Sequence, residues 1–194
     1  MIAGYAVRPL SGQTRCGDAC RWWHTGALWV ACIVDGLGHG EAAEIAAQRA
    51  LILAGSCLNL APHEMLRIID RGLTETRGAA CGIAQVDPHT MRLRYSAVGN
   101  IRGALFSATA RYLDAAPGIA GTGACAASVV EVPWTPGDLL ALWTDGVSVN
   151  LNLGQHSRRL LGAPGKLAEL LLDGFAPGND DALVLCCFLD GAKS

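Results

Sequence analysis

Acidic residues flank the most apolar stretches of the sequence at four places. Two stretches run directly into an Asp-Gly pair, at Asp35-Gly36 and at Asp145-Gly146. The pair Asp180-Asp181 comes just before the last apolar stretch, and Asp18 comes just before the first long one. If neighbouring strands are antiparallel, the end of one strand and the beginning of the next lie at the same edge of a sheet. We therefore expect the carboxylates at these four places to converge.

Carboxylates that converge have a definite chemistry. They repel one another, and they hold protons unless a cation lies among them. Ligation by oxygen alone selects hard divalent ions such as Mg²⁺ or Mn²⁺. In such a site Asp35 would bridge two cations, and the carbonyl of Gly36, a residue without a side chain, would supply a further oxygen. Two metals that share a water lower its pKa toward neutrality and prepare a hydroxide for in-line attack on a phosphoryl group.

Other interpretations of the same residues stay open. Asp-Gly is a common turn dipeptide, so each pair taken alone is also consistent with a hairpin corner. Cys16, Cys20 and His24 are spaced by four residues and could line one side of a zinc site, although a fourth ligand is not evident. The glycine-rich stretch 35–40 could bind a nucleotide, but the sequence lacks the Lys-Ser/Thr of a P-loop and the βαβ unit of a dinucleotide fingerprint.

The composition indicates a single globular domain over residues 1–194. The chain has 194 residues, of which 51% are hydrophobic and 16% charged, and its net charge is −2. A domain of this length buries a sizeable core without disulfides or a structural metal, which excludes a disulfide-stapled mini-protein. The eight cysteines are therefore expected to be reduced, and most of them to be small buried residues.

Charge and hydropathy also restrict the partners and the compartment. A near-neutral charge without a Lys/Arg run argues against nucleic acid or an anionic membrane surface as the main partner. The N-terminus lacks the pattern of a signal peptide. The longest apolar stretch, residues 50–61, is too short to cross a bilayer. We therefore expect a cytoplasmic protein that binds neither nucleic acid nor membrane.

Hydrophobic periodicity predicts the elements that must position the carboxylates. Helices are expected at 41–60, from 62 to a stop at Gly78, and at 164–172. Strands are expected at 27–34, 80–87, 91–98, 101–107, 110–114, 127–132, 138–143 and 182–189. Grouped helices, a meander of strands, a helix and a last strand indicate an α+β architecture with antiparallel sheets. The first and last of these strands are apolar throughout and need cover on both faces, which predicts two stacked sheets between helices.

Taken in order, the motifs resemble the type-2C (PPM) metal-dependent protein phosphatases, in particular their bacterial SpoIIE/RsbU/RsbX branch. The resemblance covers essentially the whole chain and rests on Gly17-Asp18, Asp35-Gly36-Leu37-Gly38-His39-Gly40, Val98-Gly99-Asn100, Thr144-Asp145-Gly146 and Asn179-Asp180-Asp181. It implies an αββα four-layer sandwich of two stacked, mainly antiparallel sheets flanked by helices. It also implies hydrolysis of phosphoserine or phosphothreonine on a protein, without a phosphoenzyme intermediate.

The resemblance also implies a role for each matching residue. Asp35 would bridge two divalent cations, Mn²⁺ or Mg²⁺, and the carbonyl of Gly36 would ligate one of them. Asp145 and Asp180 would ligate the other metal. Asp18 would ligate weakly or hold water on a metal. Two further residues would support the ligands without binding metal themselves, namely Asp181 and Asn100.

Three departures from the wider family change these expectations. Asn100 stands where many members have an aspartate, so a third metal is not expected there. Leu37 stands where many eukaryotic members have a histidine that serves as general acid, which leaves His39 as the candidate to replace it or to contact the phosphate. The family's phosphate-binding arginine has no equivalent at the usual spacing, and Arg15 is interpreted as a surface arginine.

Within the branch, the length of the chain favours a resemblance to the free-standing RsbX-like phosphatases. A chain of 194 residues has room for the catalytic domain alone. The implied substrates are phosphorylated STAS-domain proteins of the stressosome, of the RsbR and RsbS kind, dephosphorylated as negative feedback on a sigma-factor stress response. The alternative from another class is a catalytically silent phosphatase-like module that sequesters phosphorylated partners. The intact carboxylates argue against that alternative, because mutually repelling groups serve no purpose without a metal.

Overall fold

The computed structural model describes residues 1–26, 28–123, 125–148, 151 and 162–190. In these residues it contains ten β-strands and three α-helices. The strands are β1 (Ile2–Arg8), β2 (Asp18–Thr25), β3 (Leu28–Gly36), β4 (Ala79–Asp87), β5 (Arg92–Val98), β6 (Arg102–Phe106), β7 (Ala110–Leu113), β8 (Val130–Pro133), β9 (Leu139–Trp143) and β10 (Ala182–Phe188). The helices are α1 (Glu41–Gly55), α2 (Pro62–Gly72) and α3 (Pro164–Phe175).

The strands form two antiparallel sheets. The order in the first sheet is β1-β10-β9-β6-β7, and the order in the second is β2-β3-β4-β5-β8. The two strands that are apolar throughout, β3 and β10, lie inside their sheets. The first two strands of the chain, β1 and β2, are edge strands, so the loop that joins them crosses from one sheet to the other.

Three apolar layers hold the sheets and helices together. The layer between the sheets includes Trp29, Ile33 and Tyr95 of the second sheet and Leu140 and Leu185 of the first. A second layer lies between the second sheet and helices α1 and α2, and a third lies between the first sheet and α3. The predicted α+β class and the αββα four-layer sandwich are therefore confirmed.

Helices α1 and α2 pack on the second sheet through different kinds of side chain. The buried face of α1 consists largely of alanines, including Ala43, Ala47 and Ala50, which lets the helix backbone approach β3 closely. Helix α2 is amphipathic, with large side chains such as Met65 and Ile69 buried. None of the helices in the described residues combines the length and the apolar character needed to cross a bilayer.

The structure differs from the predicted elements mainly at their ends and at the first two strands. Helix α1 ends at Gly55 instead of residue 60, and the hydroxyl of Ser56 donates to the carbonyl of Leu53 at 2.7 Å. Helix α2 ends at Gly72. Strands β1 and β2 were not predicted because they carry apolar residues on both faces instead of alternating: in β2, Trp22 packs toward the layer between the sheets and Trp23 toward α1.

The extended backbone of β2 excludes the zinc interpretation. Cys20 and His24 both lie in this strand. A strand rises about 3.3 Å per residue, so positions four apart are about 13 Å apart, too far for two ligands of one ion. The spacing by fours suggested a shared face only on the assumption of a helical turn.

Candidate functional site

Asp18 and Asp35 lie opposite each other at the same end of two neighbouring strands. Asp18 begins β2, Asp35 is next to last in β3, and the antiparallel register pairs the two residues directly. Asp18 is buried, with 5% of its surface exposed, and its Oδ2 accepts a hydrogen bond of 2.6 Å from the hydroxyl of Thr144. Thr144 follows β9 of the first sheet, so this bond joins the two sheets at the site.

The hydroxyl of Thr144 is itself held in place by the backbone of the first sheet. Its Oγ1 accepts a hydrogen bond from the N–H of Leu183 at 2.9 Å, and the N–H of Thr144 donates to the carbonyl of Leu183 at 3.1 Å. Because a hydroxyl that accepts from Leu183 still has its own proton to donate, that proton is available to Asp18.

The glycines that follow Asp35 and Asp145 allow the backbone to approach neighbouring elements. A Cβ on Gly36 would lie 2.1 Å from the carbonyl oxygen of Ala43 in α1, and a Cβ on Gly146 would lie 1.9 Å from that of Asp181. No side chain fits at either position. The glycine at residue 36 thus has a packing reason in addition to any use of its carbonyl as a ligand.

The two paired aspartates both have raised pKa values. Burial is the largest cause for each, and it raises the pKa of Asp18 to about 8 and that of Asp35 to about 7 together with neighbouring charges. For Asp18 the main neighbouring charge is Asp35, and the hydrogen bond from Thr144 opposes the shift. For Asp35 the neighbouring charges are Asp145 and Asp180. Negative charge at this end of the sheets therefore exceeds what the protein's own donors compensate.

Asp145 and Asp180 extend the carboxylate cluster toward solvent. Asp145 is exposed in the turn after β9, and its Oδ2 accepts a hydrogen bond of 2.7 Å from the side-chain amide of Asn100. Asp180 is exposed just before β10, and its Oδ1 accepts the N–H of Asp181 at 2.8 Å. The structure thus brings Asp35, Asp145 and Asn100 together from three strand ends.

Asp181 points away from solvent and binds the loop between β1 and β2. It is 4% exposed, and its two carboxylate oxygens accept the N–H groups of Leu10 at 2.8 Å and of Gly17 at 2.7 Å. Gly17 immediately precedes Asp18, so these bonds position the start of β2.

The donor types and the charge of this end of the sheets suit a hard divalent cation. Asp18, Asp35, Asp145 and Asp180 offer carboxylate oxygens, the ligands that Mg²⁺ and Mn²⁺ prefer. The raised pKa values of Asp18 and Asp35 indicate charge that a cation would neutralise. Across the described ranges, no three His, Cys, Asp or Glu side chains are grouped as a finished ligand set. The residues fit such an ion by donor chemistry and charge, without forming a preassembled cage.

A known protein family matches most of the chain. The family model described as Stage II sporulation protein E (SpoIIE) matches residues 25–189. The chain belongs to the SpoIIE family. None of the curated protein sequences matches the chain.

Solved structures with this fold include phosphatases. One comes from work on the bacterial stressosome as a modular system adapted to control secondary messenger signalling; it is 26% identical, with a TM-score of 0.87, and the match covers 95% of this chain and 97% of the other. RsbX in complex with magnesium is 19% identical with a TM-score of 0.81, covering 94% and 92%. The PP2C phosphatase domain of SpoIIE from Bacillus subtilis is 20% identical with a TM-score of 0.79, covering 96% and 62%. The fold is that of the PPM phosphatases.

Two residues considered in the sequence lie outside the carboxylate cluster of this SpoIIE-family domain. His39 is exposed in the loop between β3 and α1, and no hydrogen bond or ion pair among the described residues joins it to the carboxylates. Arg15 is exposed and forms ion pairs with Glu41 and Glu44 of α1. Arg15 is thus a surface arginine with its charge already paired, in agreement with the interpretation from the sequence.

Two other residues near the cluster were missed in the sequence. Thr144 stands before an Asp-Gly pair, and only the juxtaposition of the two sheets shows that its hydroxyl binds Asp18. The Nη1 of Arg77 lies 3.0 Å from where a Cβ would stand on Gly38, in the loop after Asp35. None of the ion pairs among the described residues involves Arg77. Arg77 is distant in sequence from the Asp-Gly motifs, so the spacing of those motifs did not point to it.

Proposed function

We propose that this domain hydrolyses phosphoserine or phosphothreonine on a protein, with two divalent cations, Mn²⁺ or Mg²⁺, as cofactors. One observation carries the proposal most directly: Asp18 and Asp35 are paired in register, both have raised pKa values, and Asp145 lies beside them. Membership in the SpoIIE family supports the same reaction.

The ligands in this proposal are the carboxylates of Asp35, Asp145 and Asp180 and the carbonyl of Gly36, with Asp18 as a weaker ligand. When bound, two divalent cations lower the pKa of water and neutralise charge on a phosphoryl group. The chain's own contribution is to hold the oxygens at one end of two sheets. Thr144 supports this by orienting Asp18 through its hydroxyl proton.

Three further residues act around the ligands. Asp181 holds the backbone at Gly17 and so positions Asp18, while Asn100 orients the carboxylate of Asp145. His39, exposed in the adjacent loop, remains our candidate to protonate the leaving serine or threonine oxygen or to contact the phosphate. Arg77 provides a positive charge beside the same loop, where a phosphate would benefit from it.

The proposed substrates are phosphorylated STAS-domain proteins of a stressosome, with the reaction acting as negative feedback on a bacterial stress-response pathway in the cytoplasm. The support is the 26% identity, over nearly the whole of both chains, to the structure from the stressosome study. The structural likeness to RsbX agrees with this choice at the level of the fold.

The first test is hydrolysis of p-nitrophenyl phosphate by the chelated protein with and without added Mn²⁺ or Mg²⁺. We expect metal to restore activity. We expect Asp35→Asn to lower turnover about a thousandfold, because losing several kcal/mol of transition-state stabilisation has that effect. The matched control is Glu131→Gln, which removes an exposed carboxylate on β8, at the opposite edge of the same sheet. With activity established, a phosphorylated STAS-domain protein should be a better substrate than phosphorylated casein.

The same measurements separate catalysis from sequestration. The second candidate is the catalytically silent phosphatase-like module that sequesters phosphorylated partners. That candidate predicts no metal-restored turnover and no bound metal, together with retention of a phosphorylated partner on the immobilised protein. Turnover in Asp35→Asn equal to that of the wild type would refute the bridging role.

A further inference from the structure

A small cavity opens directly beside Asp35. Its volume is about 230 Å³, and Asp35 and Asn100 are its polar lining side chains. The rest of the lining is apolar or glycine and includes Leu37, Ala80 and Ile119. Leu37 is 47% exposed, a large apolar side chain open to solvent next to a carboxylate cluster. We call this cavity the Leu37–Ile119 cleft.

One wall of the cleft is a backbone segment, residues 115–123, which we call the strap. The strap follows β7 and is hydrogen-bonded along the second sheet. Ala116 exchanges bonds of 2.9 Å with Ala97 and Gly99, and Ala120 exchanges two bonds of 2.9 Å with Ala79. The strap is therefore held at two points on either side of Ile119, and the cleft is formed before any ligand binds.

A buried carboxylate from α2 secures the far end of the strap. Oδ1 of Asp70 accepts the N–H groups of Gly121 at 2.7 Å and Gly123 at 3.0 Å, and its Oδ2 accepts that of Cys125 at 3.1 Å. Asp70 is 3% exposed. It does not line the cleft, so its place in the structure is that of a positioning residue that acts through the strap.

We propose that the Leu37–Ile119 cleft binds an apolar side chain two residues away from the phosphorylated residue of the protein substrate. The inference rests on the proposed function, since the cleft ends at Asp35. Side chains two residues apart on an extended peptide point to the same side and are about 6.6 Å apart, so a phosphoserine at the carboxylates places the side chain two positions away at the cleft. The volume accommodates one large side chain. Apart from Asp35 and Asn100 the lining is apolar or glycine, which favours an apolar occupant over a charged one.

The test compares phosphoserine peptides that carry leucine or aspartate two residues before or two residues after the phosphoserine. For the wild type we expect kcat/KM to be about tenfold higher with leucine at one of the two positions, as one well-packed apolar contact provides. Leu37→Ser and Ile119→Ser should abolish this preference. The matched control is Ile52→Ser on α1, an isoleucine that is 69% exposed and distant in sequence from the cleft; it should keep the preference.

Asp70→Asn tests whether Asp70 positions the strap that forms the cleft. This variant should raise KM for the preferred peptide more than it lowers kcat. Equal kcat/KM for leucine and aspartate peptides in the wild type, or loss of the preference in Ile52→Ser, would overturn the cleft inference alone, provided that p-nitrophenyl phosphate is hydrolysed. No hydrolysis of p-nitrophenyl phosphate with metal present would overturn the proposed function and the cleft inference with it.

Discussion

Two buried sites in this domain contain aspartates whose pKa values move in opposite directions. At the carboxylate cluster, the pKa of Asp18 is raised to about 8 and that of Asp35 to about 7. At the strap, the pKa of Asp70 is lowered below its ordinary value. Burial is the largest influence at all three residues and raises the pKa in each case. The difference therefore lies in what surrounds the carboxylates.

Backbone donors explain the difference. Asp70 accepts three backbone N–H groups, two from the strap and one from Cys125, and such bonds favour the ionised form. Asp35 instead faces the carboxylates of Asp145 and Asp180. A carboxylate satisfied by backbone donors stabilises the fold, whereas carboxylates left facing one another lower its stability until a cation binds. That contrast separates Asp70 from Asp18 and Asp35 in this chain.

The largest effect on stability is expected from Asp70→Asn. The amide keeps one acceptor oxygen but loses the charge, and its NH₂ group would face N–H donors of the strap. Hydrogen bonds to charged groups are worth more than neutral ones, so we expect a loss of about 2 kcal/mol in the free energy of unfolding. Urea unfolding of the metal-free protein measures it.

Asp87→Asn is the matched control for that substitution. Asp87 also accepts backbone N–H groups, those of His89 at 2.8 Å and Thr90 at 3.2 Å, but in an exposed turn where asparagine forms the same bonds. We expect little change in this control. If Asp70→Asn proved as stable as the wild type, the strap would not depend on the buried charge.

Asp35→Asn should have the opposite sign in the metal-free protein. Its folded pKa, about 7, lies above the ordinary value of 3.8. The folded state therefore binds more protons than the unfolded state between these values, and its stability falls as pH rises through that window. We expect the variant to be more stable than the wild type by about 1 kcal/mol near pH 8, and equal to it near pH 4, after allowance for solvent screening.

Denaturant unfolding after metal removal, at both ends of this pH window, checks that expectation. Glu131→Gln serves again as the control, because its carboxylate lies at the far edge of the sheet and should not alter the pH dependence. A metal-free Asp35→Asn protein that is less stable than the wild type near pH 8 would mean that Asp35 is held by donors, as Asp70 is. The comparison between the two sites would then fail.

The fold could be predicted well from the sequence where apolar runs are long. Strands β3 and β10 are buried along their whole length, and their runs predicted them within two residues at each end. Strands β1 and β2 were not predicted, because both carry apolar residues on both faces, as Trp22 and Trp23 of β2 do, and so show no strict alternation; the edge strands β7 and β8 were predicted. The ends of α1 and α2 depend on local caps and contacts, which hydrophobic periodicity does not record.

The site residues likewise include some that the sequence predicted and some that it did not. The sequence predicted that Asp18 and Asp35 converge but placed Asp18 before the first long strand. The structure pairs the two residues through β2, a strand that was not predicted. The contribution of Thr144 depends on how the two sheets face each other, and that of Asp70 on where the strap crosses α2. Contacts between elements distant in sequence leave no mark in residue spacing. The metal ligands themselves remain predictions, since they depend on a cation that the chain alone does not define.

The smallest effect is expected from Asn100→Asp, which adds a carboxylate to the cluster instead of removing one. The amide of Asn100 now donates to Asp145 at 2.7 Å, and an aspartate there would replace that bond with repulsion. Both residues are exposed, so solvent screens the charges and the metal-free protein should lose less than about 0.5 kcal/mol. Added Mn²⁺ should reverse the loss by occupying a further, weak site, seen as an increase in the thermal midpoint that exceeds the wild type's. An unchanged response to Mn²⁺ would show that Asn100 supports Asp145 without lying within reach of a metal.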